Sequence, residues 1–127
     1  MSSYYKNTLW IFTLLILFTS CKSTKTKASL YKNEAFACYY HDKFNGRKTA
    51  NGEIFNNKKL TAAHKSLPFG TKIKITNLNN NKNTIVVIND RGPFTKGLDI
   101  DLSRKAFMSI TDDPKKGKIK VSLEIIN

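Results

Sequence analysis

The sequence is poor in cysteine, in acidic residues and in long apolar segments. Only two cysteines occur among 127 residues, and nine Asp and Glu residues stand against 22 Lys and Arg residues, for a net charge of +13. So few cysteines exclude a framework of several disulfides. The longest apolar run, residues 9–18, is interrupted by Thr13, whereas a bilayer-spanning helix needs about 20 apolar residues. The run is therefore too short for a permanent transmembrane anchor.

The same run predicts a secretory signal over residues 1–20. Lys6 supplies a positively charged start, and small polar residues lead from the run into Cys21. Ser20 and Cys21 resemble a lipobox, so we expect Cys21 to become a lipid-modified N-terminus. It would anchor the chain to a membrane on the periplasmic side of the cell envelope. The alternative is an ordinary cleaved signal followed by a coincidental cysteine.

With Cys21 lipidated, Cys38 has no second cysteine with which to form a disulfide. Cys38 lies between Ala37 and Tyr39 in an apolar stretch, and we interpret it as a small core residue. A thiol mechanism is the alternative, but it needs a neighbour that promotes the thiolate. His41 lies three residues further along, so on a strand it points to the opposite face.

The rest of the chain divides into a tether and one domain. Residues 21–32 are polar and repetitive, which predicts a lipidated cysteine followed by a flexible linker. Residues 33–127 are enough for a single domain, and we expect it to be monomeric. The positive charge favours an anionic partner in the envelope, with plain solubility as the alternative. No nucleic-acid-binding motif accompanies the charge, so we expect no nucleic-acid partner.

Apolar and polar residues alternate along most of the domain, which predicts strands. An asparagine-rich turn over residues 77–83 separates two of them. Ser103 is suited to cap a short helix over Arg104–Ile110. The sequence ends directly after a strand, so we expect no second domain. The pattern predicts a mainly all-β fold, a small β-barrel with one short helix. Its predicted strands are residues 71–76, 84–88, 98–102 and 118–126.

Three loops hold the residues that are suited to catalysis or substrate binding. Residues 44–53 are rich in glycine and asparagine and cannot form a regular element. Residues 60–64 end in His64 and lead to a turn at residues 67–70. Residues 89–94 follow a buried strand with an acid, a base, a glycine and a proline. Loops of this kind on a rigid barrel usually carry binding groups.

These blocks, in this order, resemble the rare lipoprotein A family of septal-ring lytic transglycosylases. The resemblance rests on residues 46–53, 60–64, 67–71, 89–94 and 100–103. It implies a six-stranded double-psi β-barrel with an open groove. It also implies cleavage of peptidoglycan glycan strands between N-acetylmuramic acid and N-acetylglucosamine, leaving a 1,6-anhydro sugar, without a cofactor. The catalytic positions that it implies are Glu53, His64 and Asp90. The expected substrate-binding residues are Tyr40, Arg47, Thr49, Asn51, Asn89, Arg91 and Asp101.

The sequence departs from the family pattern in two places. Members often have Ser-Trp-Tyr-Gly where this chain has Cys38, Tyr39, Tyr40 and His41, so we expect a different rim at the groove entrance. The sequence also lacks the C-terminal peptidoglycan-binding module of many members, which leaves septal targeting open.

A lytic transglycosylase needs a carboxyl group that protonates the departing oxygen while the substrate's own C6 hydroxyl attacks. Asp90 is our candidate because it ends a buried strand. To stay protonated, Asp90 needs burial or a neighbouring carboxylate. Glu53 could supply that carboxylate, whereas an Arg91 side chain pointing inward would favour the ionised form. His64 is predicted to orient Asp90, to bind sugar or to share the proton transfer.

Each of these residues also has a structural interpretation. In that interpretation Asp90 only accepts hydrogen bonds from loop amides, His64 fills a buried polar position, and Glu53 carries a solvated charge. Asp101, next to the helix start, is a second candidate acid, because related expansin-type barrels place a carboxylate at a similar position. A metal site from His41, His64 and a carboxylate lacks recognisable ligand spacing, so we expect none.

Two other functions remain open from the sequence. The barrel could be a non-catalytic, expansin-like module that binds peptidoglycan or loosens the wall. It could also be an inhibitor or scaffold of the envelope that uses the barrel as a rigid surface.

Overall fold

Six β-strands close into a barrel in the computed structural model, which describes residues 24–127. Around the barrel the strands follow the order β1-β5-β2-β4-β3-β6. One α-helix, α1, and one 3₁₀ turn over Asp42–Phe44 complete the regular elements of this part of the chain. The six-stranded, mainly β architecture that the sequence predicted is confirmed. The strands are β1 (Ala28–Tyr39), β2 (Thr61–His64), β3 (Lys72–Asn77), β4 (Asn83–Asp90), β5 (Ile100–Leu102) and β6 (Ile119–Ile126), and α1 is Arg104–Ile110.

Alternate side chains of the strands fill the barrel. On β3, Ile73 and Ile75 are completely buried, whereas the alternating residues Lys72, Lys74 and Thr76 are exposed or partly exposed. The same alternation runs along β6, as the sequence pattern predicted. The other strands add residues of the same kind, so the interior is aliphatic. Its members include Ala35, Ala37, Ala62, Val86, Ile88, Ile100, Leu102, Val121 and Leu123.

Two of the six strand pairs are parallel. β1 pairs in parallel with β5, and β2 pairs in parallel with β4, whereas the other four pairs are antiparallel. Strands that follow one another in the sequence are not always neighbours in the barrel, because β5 lies between β1 and β2, and β2 lies between β4 and β5. These strands are therefore joined by long connections, over residues 40–60 and 91–99. The two connections hold residues 44–53 and most of residues 89–94, two of the three loops predicted to carry chemistry.

The helix begins and ends where the sequence predicted. Ser103 is its N-cap and accepts a hydrogen bond from the amide of Ala106 at 3.3 Å. Phe107 and Ile110 are buried against the barrel, and the ring of Tyr39 lies 4.7 Å from that of Phe107. The side-chain amide of Asn77 donates to the last helical carbonyl, that of Ile110, at 2.8 Å. The short helix thus closes one part of the barrel without leaving its polar ends unpaired.

The first strand differs from its prediction. β1 begins at Ala28, so residues 28–32, predicted as the end of a flexible linker, form backbone hydrogen bonds with β6. All five residues are exposed, Leu30 and Tyr31 among them, so it is backbone pairing with β6 rather than burial of side chains that holds them in the strand. No helix among residues 24–127 is long and apolar enough to cross a membrane. The predicted signal, Cys21 and the start of the linker lie outside the described residues.

Two other strand predictions need adjustment. β5 begins at Ile100 rather than at residue 98. At Asp99 the amide of Phe36 donates to the side-chain carboxylate at 2.8 Å, so the regular backbone pairing of β1 with β5 starts only after this residue. β4 is not buried along its whole length. Val86 and Ile88 lie in the core, whereas Ile85 is 46% exposed and belongs to the outer face.

Candidate active site

The register of four neighbouring strands sets two aspartates close together. Cys38 on β1 is paired with Asp101 on β5, Asp101 with Ala63 on β2, and Ala63 with Asp90 at the end of β4. Neighbouring strands lie about 4.8 Å apart, so the Cα atoms of Asp90 and Asp101 are separated by roughly 10 Å. Between them stands Ala63, whose side chain is small. We call Asp90 and Asp101 the aspartate pair.

Three donors fix the carboxylate of Asp90. The hydroxyl of Tyr40 donates to Oδ2 at 2.6 Å, and the amides of Ala50 and Arg91 donate to Oδ1 at 2.8 and 2.9 Å. Ala50 belongs to the glycine-rich loop, so this carboxylate also ties that loop to the end of β4. Asp90 is half-buried and keeps contact with the surface. Its position is therefore determined by the fold while its oxygens stay accessible.

Tyr40, predicted as a substrate-binding residue, supports Asp90 from a rigid position. Its ring packs on Phe55 at 4.3 Å and meets Phe44 edge-on at 5.9 Å. The pKa of Tyr40 is raised well above its ordinary value, mainly by burial and then by the hydrogen bond to Asp90 and the negative charges of Asp90 and Asp101. The hydroxyl is thus protonated throughout the physiological range and remains a donor.

Asp101 has a different environment from Asp90. The pKa of Asp101 is raised, mainly by burial and also by the negative charge of Asp90, although a hydrogen bond from Cys38 acts in the opposite direction. A carboxyl group with a raised pKa keeps its proton more readily near neutral pH. The two aspartates therefore differ in environment: one is held by three donors, and the other is desolvated.

Cys38 does not lie in the core, which corrects its interpretation from the sequence. It is half-buried, and its Sγ–H donates to Oδ1 of Asp101. Burial, followed by the hydrogen bond and charge of Asp101, raises the pKa of the Cys38 thiol to about 12. The thiol is consequently protonated, and a protonated thiol is neither a nucleophile nor a strong metal ligand. The sequence offered one sign of this placement, because Cys38 and Tyr40 are two residues apart and share a strand face.

Glu53 holds the glycine-rich loop together. Its carboxylate accepts from the side-chain amides of Asn51 at 2.8 Å and Asn89 at 3.2 Å, and these two bonds lower the pKa of Glu53. Thr49 is buried and donates to the Oδ1 of Asn51 at 2.6 Å. Glu53 is thus an exposed, ionised group. It reaches Asp90 through the neighbouring residue Asn89, not by direct contact.

His64 is directed away from the aspartate pair. It is paired with Ile100, whose side chain is in the core, so it lies on the opposite face of β2 from Ala63. Its Nδ1 accepts from the amides of Ser66 and Leu67 at 3.1 and 3.0 Å. The pKa of His64 is lowered, mainly by burial. The neutral ring therefore organises the turn after β2, and the structure does not bring it to Asp90.

Arg91 also points away from Asp90. Its guanidinium donates to the carbonyls of Leu67 at 2.9 Å and His64 at 3.3 Å, and it lies 4.0 Å from the ring centre of Phe69. It braces the turn that His64 organises, and its guanidinium is not among the donors to the carboxylate of Asp90. Arg47 remains at the exposed surface, with its guanidinium 5.3 Å from the ring centre of Phe44.

Fold and site together define a double-psi β-barrel whose loops surround a pair of carboxyl groups. The chain belongs to the lytic transglycolase family, whose model matches residues 23–123. It is 54% identical over 87 residues to the endolytic peptidoglycan transglycosylase RlpA of Pasteurella multocida, covering 68% of this chain and 30% of that protein. It is 43% identical over 114 residues to RlpA of Rickettsia bellii, covering 81% of this chain and 50% of that protein. The chain thus spans about a third to a half of the length of these relatives.

Solved structures share the fold at much lower identity. An expansin of Clavibacter michiganensis aligns with a TM-score of 0.59 at 16% identity, over 80% of this chain and 51% of the expansin. The Streptomyces papain inhibitor also aligns with a TM-score of 0.59, at 17% identity, over 80% of this chain and 96% of the inhibitor. At this level of identity the similarity concerns the fold alone.

Proposed function

We propose that this chain is an endolytic peptidoglycan transglycosylase that cleaves the bond between N-acetylmuramic acid and N-acetylglucosamine. The observation that carries the proposal is the aspartate pair, in which a fixed carboxylate and a desolvated carboxyl group stand on either side of Ala63. Paired carboxyl groups are the usual machinery for breaking glycosidic bonds. Membership of the lytic transglycolase family supports the same reaction.

The two aspartates take different roles in the proposed reaction. Asp101 is suited to donate a proton to the departing O4 oxygen, since desolvation raises the pKa of its carboxyl group and so favours the protonated form. Asp90, held by three donors, is suited to accept the proton of the C6 hydroxyl of the muramoyl sugar. The bond from C1 to the departing oxygen breaks as the bond from C1 to O6 forms. The products are a 1,6-anhydro end and a free 4-hydroxyl, and a proton returns from Asp90 to Asp101 through solvent.

This assignment modifies the roles expected from the sequence. Asp90 remains essential but accepts a proton, and Asp101, the second candidate acid, becomes the donor. Glu53 positions the loop whose Ala50 amide holds Asp90. His64 positions the turn after β2 and takes no part in the proton transfer.

The proposal is tested by digesting purified sacculi with the full-length protein and quantifying anhydro-ended glycans. Asp90→Asn and Asp101→Asn keep side-chain size, and each should reduce product release by at least about 100-fold, the usual contribution of acid–base catalysis. Asp112→Asn is the matched control, because this exposed carboxylate pairs with Lys82 outside the site. It should retain full activity.

The outcomes separate the candidate functions. Binding to sacculi without release of products from the wild-type protein would indicate a non-catalytic glycan-binding module. Normal release from both aspartate variants would contradict the assigned site.

We also propose that the chain acts in the cell envelope, anchored through lipid on Cys21. The support is the short apolar run over residues 9–18 and the Ser20–Cys21 pair that follows it. Cys21→Ala should move the protein from the membrane fraction to the soluble fraction or block its maturation. A Cys21→Ala protein that stays with membranes at wild-type mass would contradict the anchor.

A further inference from the structure

Two cations share one aromatic ring at the edge of the proposed active site. The ammonium of Lys43 and the guanidinium of Arg47 each lie 5.3 Å from the ring centre of Phe44. That ring in turn meets Tyr40, the residue that holds Asp90. We call Lys43, Phe44 and Arg47 the cationic lip. Within the lip, the Phe44 ring lies between the two cations and Tyr40, whose hydroxyl contacts Asp90.

The positive charge of the lip is not neutralised within residues 24–127. Neither Lys43 nor Arg47 takes part in the ion pairs of this part of the chain. The acidic neighbour Asp42 is already engaged, because its Oδ2 accepts from Arg104 at 2.9 Å and its Oδ1 from Asn57 at 2.9 Å. The two cations are exposed, so an anion from outside the chain can reach them.

The ring restricts where the two cations can go. A cation over an aromatic face is attracted by the ring, which limits the freedom of an exposed Lys or Arg side chain. Less side-chain entropy is then lost when an anion binds. A guanidinium and an ammonium held at the same ring suit a carboxylate, which the guanidinium can bind through two parallel hydrogen bonds.

We propose that the cationic lip recognises the carboxylate on the muramoyl substituent of the glycan, so that the site selects muramic acid strands over uncharged N-acetylglucosamine polymers. This inference rests on the proposed function. A glycan strand that places a muramoyl sugar at the aspartate pair carries a carboxylate beside every second sugar. That carboxylate is the lactyl group itself where the peptide has been removed, or it belongs to the stem peptide where the peptide is present.

The test measures binding, separately from turnover. Full-length protein is titrated with four insoluble glycans: intact sacculi, sacculi stripped of stem peptides, stripped sacculi whose carboxylates have been converted to neutral amides, and chitin. Lys43→Gln/Arg47→Gln removes both charges of the lip and keeps polar side chains. Lys115→Gln/Lys116→Gln removes the same charge from an exposed loop after α1 and is the matched control.

The lip variant should bind charged sacculi about three- to tenfold more weakly than the wild type, as expected for two exposed charge interactions. The loss should shrink as salt is added, and binding to amidated sacculi or chitin should be unchanged. A loss on stripped sacculi identifies the lactyl carboxylate, and a loss confined to intact sacculi identifies the stem peptide.

An equal loss of binding in the control variant would overturn the inference, and so would a loss of binding that persists on amidated sacculi. Undiminished binding of the lip variant to both intact and stripped sacculi would overturn it as well. Anhydro-ended products are measured on the same wild-type samples. Their absence would contradict the proposed function, whereas the binding pattern alone decides the role of the lip.

Discussion

The hydroxyl of Tyr40 offers the sharpest perturbation of the proposed site. Tyr40→Phe removes one oxygen atom and with it the 2.6 Å hydrogen bond to Oδ2 of Asp90. The ring keeps its packing on Phe55 and Phe44. The substitution therefore changes how Asp90 is held and leaves the surrounding core as it is.

The size of the effect follows from the remaining contacts. A hydrogen bond to a charged group contributes about 1.5–3 kcal/mol. Asp90 keeps its bonds to the amides of Ala50 and Arg91, and it is only half-buried, so water can replace the lost donor. We expect the free energy of unfolding to fall by about 1–1.5 kcal/mol, at or just below the lower limit of that range, because water replaces part of the lost interaction. For a domain of this size this corresponds to a fall in Tm of roughly 4–12 °C.

Turnover should suffer more than stability. With one oxygen of Asp90 no longer fixed, its alignment with the C6 hydroxyl is lost in part, and a small displacement of a reacting group can cost up to about 100-fold in rate. We expect Tyr40→Phe to release anhydro-ended glycans about 10- to 100-fold more slowly, with sacculus binding retained. The assay is product release under single-turnover conditions.

Tyr39→Phe is the control, because the Tyr39 hydroxyl has no hydrogen bond within residues 24–127 and its ring packs on Phe107. Wild-type product release by Tyr40→Phe would refute the reasoning that this hydroxyl positions Asp90. An equal loss in both variants would refute it as well.

Three further predictions concern neighbouring residues. His64→Ala leaves the amides of Ser66 and Leu67 without their acceptor and should lower the free energy of unfolding by about 2–4 kcal/mol in a denaturant titration. The side chain of His64→Asn can still accept hydrogen bonds from those amides, so this variant should keep most of the stability and activity. A folded His64→Asn protein whose product release falls 100-fold or more would restore a catalytic role for the imidazole. Because the folded state raises the pKa of Asp101, it binds that proton more tightly than the unfolded state, and stability is lost as pH rises from the ordinary carboxyl range through the raised value. The difference in Tm between Asp101→Asn and the wild type should therefore be more favourable to the variant at pH 7 than at pH 4. A Tm difference that is the same at both pH values would contradict the raised pKa. Cys38→Ser preserves a donor to Asp101 and should retain activity, whereas Cys38→Ala should shift the pH–rate profile; identical profiles for the two variants would show that the thiol does not affect Asp101.

Local sequence patterns were enough to predict most of the fold. Ile73 and Ile75 alternate with polar residues because one face of their strand is buried, and the helix after Ser103 is fixed by its cap. Residues 28–32 lack an apolar pattern, and they become a strand only because β6 provides backbone partners. Such pairing between distant segments is not visible in composition.

The sequence suggested residues for the candidate site but not their arrangement. The loop motifs singled out Glu53 and Asn51, which the structure joins to Asn89, and Asp90, whose carboxylate accepts from the amide of Ala50 in the same loop. Motifs do not show side-chain direction, so the orientation of His64 away from the aspartate pair was not predictable. The partnership of Cys38 with Asp101 depends on the parallel register of β1 and β5, which joins residues 63 positions apart.

In the proposed reaction the C6 hydroxyl of the substrate, and not water, attacks the glycosidic bond at the aspartate pair. Digestion of sacculi in heavy-oxygen water, followed by mass spectrometry of the new glycan ends, distinguishes the two nucleophiles. We expect the wild-type protein to form 1,6-anhydro ends that contain no solvent oxygen, and Asp90→Asn and Asp101→Asn to form at least about 100-fold fewer of them. New reducing ends that carry the heavy oxygen would show hydrolysis and contradict the proposed transglycosylase reaction.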